Sequence, residues 1–115
     1  MRVHPDDAAA CGLEDGGLAR IESKSGAVEV AVMVTDEMTP GTVALPHGWG
    51  HRGGWRAANA LGGANSNLLS SAAPEDLEPL AGMAFLNGIG VRLAPVAAPA
   101  GSPRPAAAAP APSPR

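Results

Sequence analysis

Two histidines, a tryptophan and two glycines share five consecutive positions in Leu45-Pro46-His47-Gly48-Trp49-Gly50-His51. The ring nitrogens of His47 and His51 can donate or accept hydrogen bonds. Trp49 adds a broad apolar face with one donor at its edge. Gly48 and Gly50 leave the backbone free to turn and to lie against a flat ligand. A second polar group follows in Asn65-Ser66-Asn67-Leu68-Leu69-Ser70. A planar amide with one acceptor and two donors can match the hydrogen-bonding edge of a heterocycle. The simpler role for Asn65 and Asn67 is to cap turns. Taken together, the two segments suggest a ligand-contacting site.

Two other chemistries fail on context. Gly48-Trp49-Gly50-His51-Arg52-Gly53 matches the G-x-G-x-x-G pattern, but that pattern must open a helix after a buried strand, and the stretch that follows is glycine-rich and aperiodic. His47 and His51 are spaced four apart, as metal ligands on one helix face would be, yet the neighbouring glycines disfavour a helix and no third ligand is at hand unless His4 folds back. No Cys-x-x-Cys and no acid–base constellation is present, so the chain is not expected to be catalytic alone.

The elements that must hold this loop are short. Arg2-Val3-His4 ends a strand, and Pro5 to Cys11 reads as a helix with proline at its start, Asp6 and Asp7 in its first turn and Gly12 to stop it. Leu18 to Ser23 places Ala19 and Ile21 on one face and Arg20 and Glu22 on the other. After the reversal at Lys24-Ser25-Gly26, the run to Thr35 alternates, with Val28, Val30, Val32 and Val34 on one side. Thr42 to Leu45 is a further strand leading into the histidine–glycine loop. Residues 51–66 lack periodicity, and a loop that long in a small domain is often functional. Ala73 to Leu80 should contain a helical turn or two, and Ile89 to Leu93 a closing strand. This pattern predicts a compact, mainly β barrel with short helices.

Composition narrows the function. The chain has 115 residues, a formal net charge of −3 and three aromatic residues, so neither a basic face nor a base-stacking platform for nucleic acid is expected. The single Cys11 reads as a small apolar core residue. No apolar run approaches membrane-spanning length and the first residues are not a signal peptide, which suggests a cytoplasmic protein. From Ala94 onward the chain carries seven of its twelve prolines and no acidic residue, the composition of an extended tail. The expected organisation is therefore a domain over 1–94 and a disordered Ala/Pro-rich tail over 95–115.

The order of motifs resembles the C-terminal molybdopterin dinucleotide-binding domain of molybdenum- and tungsten-dependent oxidoreductases, the family of formate dehydrogenases, nitrate reductases and dimethyl sulfoxide reductase. The resemblance rests on His4-Pro5-Asp6-Asp7-Ala8-Ala9, Gly12-Leu13-Glu14-Asp15-Gly16, Val34-Thr35-Asp36, Pro40-Gly41, the His47 loop and Asn67-Leu68-Leu69-Ser70, in that order. Pro79-Leu80-Ala81-Gly82 and Asn87-Gly88 also fit. It implies a double-psi β-barrel, here lacking its first strand because family members have another strand before the proline–aspartate helix. It also implies a bis-molybdopterin guanine dinucleotide cofactor, with molybdenum or tungsten, contacted by His47, Gly48, Trp49, Gly50, His51 and Asn67. The expected partner is the upstream catalytic domains or large subunit of the oxidoreductase. The rival reading is a double-psi barrel that serves as a binding or adaptor module without cofactor.

Overall fold

The computed structural model describes residues 1–50, 56–60 and 62–97. Strand β1 (Arg2–Val3) leads into helix α1 (Pro5–Cys11), whose bounds match those expected from its sequence. The helix starts and stops for visible reasons. The His4 side chain accepts a hydrogen bond from the Asp6 amide at 3.2 Å, and Gly12 ends the helix in the left-handed conformation at φ 66°.

Strands β2 (Leu18–Glu22) and β3 (Ala27–Ala31) form the expected hairpin, with Ala19, Ile21, Val28 and Val30 buried. The alternating run does not continue as one strand. Val32 leaves the ladder, exchanging backbone hydrogen bonds with Gly16 and Gly17, and Met33–Val34 (β4) then pairs in parallel with β1. Strand β5 (Val43–Ala44) completes that sheet in the order β4-β1-β5. The last strand, β6 (Arg92–Val96), lies against the other side of β2, giving the order β3-β2-β6.

Strand β6 runs later than the Ile89–Leu93 expected from sequence and takes in Pro95 and Val96, which composition assigns to the tail. Pro95 is tolerated there because β6 is an edge strand and its missing N–H deprives no further neighbour. Residues 98–115 of the expected tail lie outside the described residues. The stretch expected to be wholly irregular contains a helix, α2 (Arg56–Ala60), where alanines favour helix without any amphipathic period to announce it. Two 3-10 turns follow, at Ser66–Leu69 and Pro74–Asp76.

The architecture is mainly β with short helices. Among the described residues it consists of two three-stranded sheets with no ladder joining them into a closed barrel. Two apolar clusters fill the space between the elements. One holds Val3, Ala8, Leu13, Ala19 and Val32, with Cys11 packed at its edge; the other holds Ile21, Val28, Val30 and Leu69. Leu93 and Met1 touch both clusters and so connect the sheets. Side-chain hydrogen bonds add ties across the chain: Asp7 accepts from the Gly41 amide at 2.7 Å and Asp15 from the Val34 amide at 2.8 Å.

Candidate functional site

The 3-10 turn at Ser66–Leu69 anchors the site to the core. Leu69 is buried in the second cluster, and its carbonyl accepts a 2.8 Å hydrogen bond from the Ser23 hydroxyl at the hairpin turn. The Asn65 side chain caps the turn, its Oδ1 accepting from the Asn67 amide at 3.1 Å. The bland role expected of an asparagine thus belongs to Asn65. Asn67 does something else: its Oδ1 accepts from His47 Nε2 at 2.8 Å, linking the histidine–glycine loop to the turn.

Two glycines allow that approach. Gly50 sits at φ 72° against the backbone of Ala64 and Asn65, where a Cβ would come within 2.6 Å of Ala64 C and Asn65 N. Gly63, at φ 97°, packs so closely on Trp49 that a Cβ would lie 2.7 Å from the Trp49 Cβ. Segments 47–50 and 63–67 therefore pack as one unit, with side chains excluded where the backbones touch.

Beneath His47 and Asn67 lies a cavity of about 500 Å³. Its apolar floor includes Ile21, Val43, Leu69 and Ile89, and its polar groups come from His47, Ser66, Asn67, Ser70 and Asn87. Its lining holds no Asp, Glu, Lys or Arg. The Ser66 hydroxyl is buried and has no hydrogen-bond partner among the described residues. A buried polar atom left unpaired costs free energy and marks a place where a ligand or ordered water completes the bonding. A volume of this size, with an apolar floor and a few convergent polar groups, has the form of a small-molecule site.

Two further cavities differ in chemistry. One of about 540 Å³ adjoins the first through Leu69, Asn87, Gly88 and Ile89 but is lined by Lys24, Glu75 and Asp76. There the Asp76 carboxyl is held below the usual carboxylate range, chiefly by the hydrogen bond from Lys24 and then by one from Ser71. The other, about 360 Å³, lies on the far side of the turn against Arg20, Glu29, Gly50 and Asn65. Each of the two mixes carboxylate and cation, Lys24 with Glu75 and Asp76 in one and Arg20 with Glu29 in the other.

The six residues singled out from sequence are therefore distributed. His47 and Asn67 meet and line one cavity. Gly48 turns in open space at φ 91°, Trp49 is about half-exposed against Gly63, and Gly50 lines the smaller polar cavity. His51 lies outside the described residues. His4, the possible third metal ligand, is occupied as the cap of α1. No group of three or more potential metal ligands occurs among the described residues. Ser66 and Asn87 were not singled out as site residues. Ser66 is hidden between two more conspicuous asparagines, and the one signal for Asn87 is the turn-forming Asn87-Gly88 pair.

A second feature stands beside the cavity. Leu77 and Ala84 form an isolated bridge, and the loop between them is tied by hydrogen bonds from the Glu78 amide to the Met83 carbonyl and from the Gly82 amide to the Glu78 carbonyl. The Glu78 carboxylate accepts from the Ala81 amide and then the Leu80 amide, bonds that hold its pKa below the ordinary value. This ordered loop and the residues after it expose Leu80, Met83, Phe85 and Leu86 to solvent.

Comparisons with known proteins agree on the family. The chain is 44% identical over 62 residues to the trimethylamine-N-oxide reductase of Haemophilus influenzae, a match covering 54% of this chain and 7% of the relative. It is 38% identical over 53 residues to the dimethyl sulfoxide/trimethylamine N-oxide reductase of Rhodobacter capsulatus, covering 46% of this chain and 6% of the relative. The chain thus corresponds to a small part of these much longer enzymes. Among solved structures, acetylene hydratase from Pelobacter acetylenicus shares the fold with a TM-score of 0.67 at 24% identity, over 83% of this chain and 14% of that one. Residues 1–89 match the family described as "Molydopterin dinucleotide binding domain", and the chain belongs to that family.

Proposed function

We propose that this chain binds and positions a molybdopterin guanine dinucleotide, carrying molybdenum or tungsten, within a molybdenum-type oxidoreductase. The observation that carries the reading is the His47–Asn67 hydrogen bond at a cavity lined by no Asp, Glu, Lys or Arg, with one buried hydroxyl that has no partner among the described residues. Those residues suit the group. A flat heterocycle with a polar edge matches the apolar floor and the amides of Asn67 and Asn87, and no carboxylate opposes the phosphates. The cofactor supplies the redox chemistry when bound; the chain supplies binding and orientation. Gly48, Trp49, Gly50 and His51 belong to the same proposed contact as the continuation of the loop.

We further assign to this chain a partner that carries the catalytic domains, on the same polypeptide or another, docked over the loop of Leu80, Met83, Phe85 and Leu86. The matched relatives are many times longer than this chain. Phe85 and Leu86 line the two adjoining cavities, so whatever covers the loop also covers the cofactor site. An apolar patch on an already ordered loop is the form of a surface made to be buried. The double-psi barrel belongs to the same reading, its two sheets closed by strand pairing supplied from the partner.

The test is reconstitution of the complex by co-expression with the catalytic chain. Asn67→Ala should lower molybdenum or tungsten content and the fluorescence of extracted pterin, measured against protein. Unchanged metal and pterin content in that variant defeats the site assignment.

A further inference from the structure

We infer that His47 is a positioning residue, which holds the Asn67 amide so that its Nδ2 faces the ligand and makes this point of the cavity a site for an oxygen acceptor. The inference rests on the cofactor-binding reading above. It follows from a complete account of the polar groups of Asn67. Its Oδ1 accepts from His47 Nε2 at 2.8 Å, its backbone N–H donates to Asn65 Oδ1 at 3.1 Å, and its carbonyl accepts from the Ser70 amide at 3.2 Å. The two N–H bonds of Nδ2 have no protein partner among the described residues, and they are the donors that Asn67 still has to offer.

An asparagine amide has nearly the same shape in its two flipped states, so an unrestrained Asn67 would present donor and acceptor alike. With Oδ1 turned to His47 the imidazole donates through Nε2–H, and while the ring proton sits on Nε2 that bond favours this flip over the reverse, which would set Nδ2–H against Nε2–H. The side chain is also spared the freedom it would otherwise lose when a ligand arrives, which is affinity gained by preorganisation. The neighbouring Ser66 hydroxyl, buried and unpaired, can donate or accept beside it. An oxygen acceptor of the required kind occurs twice in the proposed ligand class: as the ring carbonyl of a 2-amino-4-oxopyrimidine and as a pyrophosphate oxygen.

The experiment titrates the full chain with inorganic pyrophosphate, guanosine and neopterin, and follows the Asn67 side-chain NH₂ signals by NMR. His47 and Asn67 are both exposed, so substitutions there should leave the fold intact, and the backbone amide spectrum monitors it. His47→Ala and Asn67→Ala should each weaken binding about tenfold, the loss of one hydrogen bond or of its preorganisation. The double variant should bind no more weakly than Asn67→Ala alone, because His47 acts through Asn67. His47→Gln, which keeps an N–H donor, should recover part of the affinity, and His47→Ala should shift the Asn67 NH₂ pair toward a freely rotating amide.

A response to pyrophosphate alone identifies the phosphate oxygen; a response to guanosine and neopterin identifies the ring carbonyl. A double variant about a hundredfold weaker overturns the inference while leaving the cofactor reading intact, since His47 would then touch the ligand itself. Asn67→Ala without effect, or no saturable response to any probe at millimolar concentration, overturns the inference, while the metal and pterin content of the reconstituted Asn67→Ala complex decides the cofactor reading separately.

Discussion

Residues 3–32 and residues 49–91 use their apolar side chains in opposite ways. Among the described residues, eight of the nine buried apolar side chains lie between Val3 and Val32, and Leu69 is the ninth. Seven of the nine large exposed ones lie between Trp49 and Val91. The first region buries what it has and is held by sheet ladders. The second is shaped by single hydrogen bonds at turns, such as those of Asn65 and Glu78, and leaves its apolar groups facing outward. The difference separates two tasks: one region makes a core, and the other, resting on it through Leu69 and the Ser23 bond, makes surfaces for other molecules.

The contrast can be broken most severely at Ile21, which is 1% exposed in the second cluster. Ile21→Ala should cost about 2–5 kcal/mol, a large fraction of the stability of a domain this small, and should lower the urea midpoint of the whole chain. Leu69→Ala sharpens the comparison because it cuts the second region's apolar anchor. Hydrogen exchange should rise first in segments 63–70 and 77–85, with the β2–β3 hairpin keeping its protection. Equal loss of protection everywhere would mean that the two regions form one cooperative unit.

A milder break is Gly50→Ala. The residue's φ of 72° and the backbone of Ala64 and Asn65 leave no room for a methyl group. Strain of about 1–3 kcal/mol should separate the His47 loop from the 3-10 turn, seen as loss of the signature of the His47–Asn67 hydrogen bond by NMR. The hairpin resonances should stay in place.

The smallest effect is at the surface pair Lys24–Asp76, which ties the second region to the hairpin turn. Because Asp76 has a lowered pKa in the folded chain, its contribution is present above the ordinary carboxylate value of about 4 and is lost as pH falls through the depressed value. Lys24→Gln should move the Asp76 carboxyl midpoint back up toward the ordinary value in a pH titration by NMR. A midpoint that does not move would show that Ser71 alone holds the carboxyl.

The comparison also explains what could be read from residues. Helix α1, its cap at Gly12 and the buried faces of β2 and β3 follow from local rules: proline and aspartates at a helix start, glycine at its end, and strict alternation of β-branched residues. The break at Val32 could not be read in the same way, because the valine alternation passes through it unchanged while the backbone leaves one sheet for the other. Helix α2 was missed for the opposite reason, since alanines form a helix without marking a face.

At the site, residue types and their order were enough to mark the His47 loop and Asn67, and to indicate the family to which the chain belongs. They could not divide the work between the two asparagines. Asn65 caps and Asn67 pairs with His47 because of which backbone amides and which loop happen to stand within reach, and those are relations between segments distant along the chain. Ser66 became visible only as an unpaired hydroxyl in a finished interior. Local propensity and periodicity belong to the chain itself. Pairing, enclosure and the choice of which amide edge is left free arise only when distant segments are packed together.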